Sequence, residues 1–241
     1  MEKRHCRPAI VLLEPTEKIL GWIYLPIYFL LLSLLLTFVF MLFGWNVLDH
    51  AAQLHMNAIY GAINFIALAI IFRRYLLKSA RQVGLFPGRF FLAVFVGFLI
   101  YYFGTALMTI LTNLIAPGLE NVNDASLEAM ADFGMGELAV FTILLAPLAE
   151  ECLFRGLIFT SLRTHSRFLA YAVTIFVFSL IHVFGYLGSY SITELALCFW
   201  QYLPASFALA WAMEYSGSIW GSISVHILAN AVATLGIALT Q

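Results

Sequence analysis

Four residues of catalytic type, Glu150, His182, His226 and Asn230, are embedded in stretches that are otherwise apolar. A carboxylate, two imidazoles and a carboxamide can hydrolyse an amide. Glu150 can take a proton from water, His182 can hold that water or share its proton, and His226 with Asn230 can donate hydrogen bonds to the resulting oxyanion. Spacing supports these groupings. In APLAEECLFRG, Glu151 and Arg155 are four apart with the acid N-terminal, the order that favours a helical ion pair. Glu150 is rotated by about 100° and has no partner on its own helix, so in a dry site it is the carboxylate left for proton transfer. Phe178 and His182 share one helical face, as do His226 and Asn230. No serine or cysteine is clearly placed as a nucleophile: Ser179 is beside the His182 face and Cys152 is on the wrong side of the Glu150 helix. Glu and two His are also zinc ligands, but there is no HExxH and Asn is a poor zinc ligand, so zinc stands as the alternative to a metal-free site.

The elements that must position these groups are membrane spans. The chain has 241 residues, 63% hydrophobic and only 10% charged, with apolar runs too long and too many for one water-soluble core. An ionisable group in such a run costs about 2.5 to 3.5 kcal/mol to insert and by default marks function. Taken alone, each polar group could be interhelical glue. Three spans each bring such groups, and a bundle interior is where they are driven to meet. Pro147 removes a backbone hydrogen bond one turn before the glutamates and is expected to bend that helix. The net charge of −1 says nothing about nucleic acid, and with no basic block longer than Arg73-Arg74 a nucleic-acid partner is excluded. The 3 cysteines show no CxxC and indicate neither a disulfide framework nor a cysteine zinc site.

Read in order, the chain is an all-α, polytopic transmembrane bundle of about seven spans: 20–43, 54–72, 90–115, 137–162, 168–187, 192–213 and 219–239. Residues 1–19 form a basic lead, 20–115 the first three spans, 116–136 an acidic extracytoplasmic loop, and 137–239 the catalytic core. The loop is expected as a solvated segment, with an amphipathic lid over the site as its alternative. Of the 12 Lys and Arg, all but Arg155 fall in the lead or in the loops after the second and fourth spans, which share one side. The positive-inside rule therefore puts the N-terminus in the cytoplasm.

Three motifs, EExxxR at Glu150, Glu151 and Arg155, FxxxH at Phe178 and His182, and HxxxN at His226 and Asn230, follow one another on separate spans. Together they resemble the CPBP, or Abi, intramembrane protease family, which includes the type II CaaX prenyl proteases and bacterial relatives linked to bacteriocin processing and self-immunity. The resemblance implies an integral protein of a bacterial cytoplasmic membrane, with Glu150 and His182 activating water, His226 and Asn230 stabilising the oxyanion, and Glu151, Arg155 and Phe178 in support. The family is often labelled metalloprotease, yet the resemblance favours a metal-independent, glutamate-activated water. It also favours access from the cytoplasmic side, since bilayer dimensions put Glu150 about 20 Å from either end of its span and decide nothing.

The expected function is thus an intramembrane endopeptidase acting on a membrane-associated or prenylated-type peptide, with the lipid bilayer as its other partner. A non-proteolytic immunity or scaffold protein binding a peptide in the same cavity is the alternative. A proton or ion carrier is disfavoured because no repeated halves are present.

Overall fold

A computed structural model describes residues 9–240. Lys3, Arg4, Cys6, Arg7 and Pro8 of the basic lead lie outside the described residues. Within them every element is helical: α1 (Pro15–Leu42), α2 (His50–Ile71), α3 (Arg73–Leu85), α4 (Pro87–Ile115), α5 (Val122–Ala139), α6 (140–163), α7 (Arg167–Phe184), α8 (Ile192–Gln201), α9 (Leu203–Ser216) and α10 (Ile219–Thr240). By length and composition, 6 helices among the described residues can cross a membrane: α1, α2, α4, α7, the α8–α9 run and α10. Their outward residues, such as Leu34, Phe38, Ile66 and Phe95, are exposed apolar side chains, as a lipid-facing surface requires.

The expected fourth span is α6, and it is built differently. Two wide turns, at Val140–Leu145 and Cys152–Phe159, flank Ala146–Glu151, so the helix is not one regular run. All 8 residues from Cys152 to Phe159 are buried, whereas the other spans bury one side. A stretch buried all round belongs at the centre of a bundle, and α1, α2, α7, α9 and α10 all pack against α6. The first wide turn leads into Pro147, whose missing N–H a regular helix could not absorb without loss.

The acidic stretch after α4 departs from the expected loop. It is helical from Val122 onward, because Asn121 caps it through bonds from the Asn123 and Asp124 backbone N–H groups and helix-favouring Ala, Leu, Glu and Met follow. At Gly134 the backbone is extended (φ 174°, ψ 78°), which turns α5 before it continues into α6.

Two glycines set the seat of α10. Gly217 closes α9 in the left-handed region (φ 72°), where only glycine is free of strain. A side chain at Gly221 would meet the Ala212 carbonyl at 2.9 Å, so the first turn of α10 can press on α9 only with glycine there. That close approach fixes the register of Ser222, His226 and Asn230.

Candidate active site

All of the singled-out residues converge, and Glu151 is the hub. Its Oε1 accepts from Arg155 Nη1 at 3.0 Å and from His226 Nδ1 at 2.9 Å, and its Oε2 accepts a short bond from Ser222 Oγ. Both Glu151 and Arg155 are 0% exposed. Arg155 also donates through Nη2 to the Ser206 carbonyl and hydroxyl and lies over the Phe178 ring, 4.2 Å from its centroid. Phe178 in turn contacts both histidine rings, with centroids 4.7 Å from His182 and 5.9 Å from His226.

Glu150 is held by none of this. Its Oε2 is buried without a hydrogen-bond partner among the described residues and lies 3.9 Å from His226 Nε2. Unpaired buried carboxylate oxygens are rare in folded proteins and call for a ligand or a reaction to account for them. The pairings also place a hydrogen on Nδ1 of both histidines. Phe178 O can only accept, so His182 Nδ1, 2.8 Å away, carries the hydrogen and Nε2 keeps the lone pair. His226 Nδ1 likewise donates to the Glu151 carboxylate, which leaves Nε2 as the atom facing Glu150.

Asn230 has a structural bond that its sequence position did not disclose. In the first wide turn Ala146 N–H reaches back to Phe141 O, so the next donor, to Thr142 O, would be residue 147. That residue is Pro147, which has no N–H. Asn230 Nδ2 donates to Thr142 O at 2.7 Å instead, leaving the amide with one further hydrogen.

Glu150, Phe178, His182, His226 and Asn230 line one cavity of about 1270 Å³. Its walls continue along the second half of α4, the last turns of α10 and residues 118–128, and include Glu120, Asp124 and Glu128 but no Lys or Arg among the described residues. The cavity therefore runs from the catalytic-type residues toward the acidic end of the bundle. None of the described residues that line this cavity comes from the basic end, where the resemblance favoured access. Among the described residues, no group of 3 or more His, Cys, Asp or Glu gathers as a metal site would need.

Sequence reasoning missed several partners. Ser222 shares a face with His226, four residues on, and that spacing was the available signal. Tyr202 stacks on His182 with centroids 4.3 Å apart at 25°, and its hydroxyl lies 3.1 Å from Asn121 Oδ1 and 3.3 Å from Asp124 Oδ1. Asn121 Nδ2 also donates to Gln201 Oε1 at 2.8 Å. Burial raises the Asp124 carboxyl above its ordinary value. No local pattern marks this cluster, whose members come together from the caps of different helices.

Fold and site define an integral membrane protein, a helical bundle whose cavity is lined by Glu150, His182, His226 and Asn230. Residues 136–232 match the family Rce1-like, type II CAAX prenyl endopeptidase Rce1-like, a segment that holds all three motifs. Over that segment the resemblance to the CPBP/CAAX protease family is thereby shown. No curated protein and no solved structure matches the chain.

Proposed function

We propose that the protein is an intramembrane endopeptidase of the bacterial cytoplasmic membrane that hydrolyses a peptide bond of a membrane-associated substrate with water activated by Glu150. The observation that carries this reading is the buried Glu150 Oε2, unpartnered among the described residues, beside His226 Nε2 in the lining of a cavity of about 1270 Å³. Glu150 takes a proton from water positioned with the His182 Nε2 lone pair, and the hydroxide adds to the carbonyl carbon. His226 Nε2–H and the second Asn230 amide hydrogen stabilise the oxyanion. Glu150 then returns the proton to the leaving nitrogen, so water is divided between acid and amine. In this role His226 carries a hydrogen on both ring nitrogens, one for Glu151 and one for the oxyanion.

The substrate enters from the acidic end in this reading, since that is where the cavity walls lead. Metal enters no step, and a chelator checks this directly. Cleavage of a membrane-peptide library by the purified protein should fall about 10² to 10⁴-fold in Glu150→Gln and about 10² to 10³-fold in Asn230→Ala, and survive a strong zinc chelator. Turnover retained in Glu150→Gln would refute the assignment, loss on chelation would bring zinc back, and no cleavage by the wild type would favour the peptide-binding immunity or scaffold protein.

A further inference from the structure

A second cavity, of about 540 Å³, lies at the opposite, basic end and shares no lining residue with the first. Three guanidinium groups line it from three elements: Arg89 at the start of α4, Arg163 at the end of α6 and Arg167 at the start of α7. The one acid among its described lining residues is Glu214, so the described lining carries two more positive than negative groups.

Glu214 is already spent on holding two of the arginines. It accepts from Arg163 Nε at 2.8 Å, from Arg167 Nε at 3.0 and 2.9 Å, and from the Tyr171 hydroxyl at 2.7 Å. Because Arg163 is bound through Nε, both of its terminal amino groups remain for another acceptor. Arg89 bonds no carboxylate among the described residues. Its guanidinium lies over the Tyr215 ring, 4.8 Å from the centroid, and Tyr215 stacks on Trp211 at 4.9 Å and 20°. A guanidinium held over an aromatic face still has N–H groups to offer another acceptor, and paired guanidinium N–H groups suit a phosphate.

We propose that this pocket binds the phosphate of an anionic amphiphile, a phospholipid headgroup of net negative charge. Position argues for the lipid source. The pocket is at the end of the bundle where the basic residues gather, at the level where helices enter and leave the apolar layer, and anionic headgroups are concentrated at such a surface. Trp211 and Tyr215 suit a membrane interface, and Ile10 and Leu12 supply an apolar wall for the first carbons of an acyl chain. The proposal is independent of the protease reading.

The test is a thermal unfolding titration of the full chain in mild detergent with short-chain phosphatidylglycerol, matched phosphatidylcholine, and inorganic phosphate. Phosphatidylglycerol should raise the midpoint saturably, and half-saturation should move up by about tenfold or more in Arg89→Gln, the change expected from losing a charge-assisted hydrogen bond. Arg163→Gln should show the same shift, and it serves if Arg89→Gln does not fold, since Glu214 keeps Arg167 and Tyr171. A phosphatidylcholine response equal to that of phosphatidylglycerol, or wild-type half-saturation in the folded variants, would overturn the proposal. Inorganic phosphate acting alone at the same concentration and with the same Arg89 dependence would overturn the lipid source and keep the phosphate site.

Discussion

At the scale of single residues, the two glutamates of one dipeptide have opposite environments. Glu151 has three partners and is closed off from the cavity, whereas Glu150 Oε2 has none among the described residues. Removing a charge from each half of this arrangement should therefore have different effects. Arg155→Met leaves the Glu151 carboxylate buried with one cation fewer, and breaking a buried pair from one side costs about 3–5 kcal/mol. Glu150→Gln removes no hydrogen bond from Oε2 and should leave the unfolding midpoint nearly unchanged while activity is lost. Denaturant unfolding in micelles reads both, and equal stability of the two variants would sink the division of roles. The four-residue spacing of Glu151 and Arg155 made their pair legible in the sequence. Ser222, whose bond to Glu151 spans 71 positions, and the Thr142 bond of Asn230 were not, because both depend on how separate helices are seated.

At the scale of elements, the start of α5 and the start of α9 are joined over the cavity. Tyr202 has two functions that substitutions can separate, its ring stacked on His182 and its hydroxyl tied to Asn121 and Asp124. Tyr202→Phe keeps the stack and removes the hydroxyl's ties to α5, leaving only the Asn121–Gln201 bond of this cluster, so hydrogen exchange should rise over residues 118–128 with His182 still in place. Tyr202→Ala removes both and should also lower turnover, by about tenfold for a misplaced proton-handling group. Equal exchange in all three proteins would show that the hydroxyl does not seat α5. The acidic composition of 116–136 suggested a solvated loop, and composition alone could not show that its acids lie along a cavity wall. Their placement there depends on how α5 packs against the bundle, α7 included, and Gly134, which lets the chain turn there, looks from sequence like any loop glycine.

At the scale of the whole molecule, apolar run length made the spans legible, and for six of them the helices are long and apolar enough. The centre was less legible. The two wide turns of α6, the first of which borders the cavity, flank Pro147 and the charged cluster, where periodicity carries no signal. Which end of the cavity opens is the consequence that most affects the substrate, and charge decides the expected answer. By the positive-inside rule the arginines of α3 are expected in the cytoplasm and the acids of α5 outside, so a cavity walled by Glu120, Asp124 and Glu128 should face outward. A membrane-impermeant thiol reagent applied to intact cells should then label Glu128→Cys, and Thr109→Cys on the α4 wall of the same cavity, whereas Arg81→Cys should react only after lysis. Native Cys152 and Cys198 are buried and should stay silent. Labelling of Thr109→Cys together with Arg81→Cys would place the opening on the cytoplasmic side, and a peptide delivered from outside could no longer be the substrate.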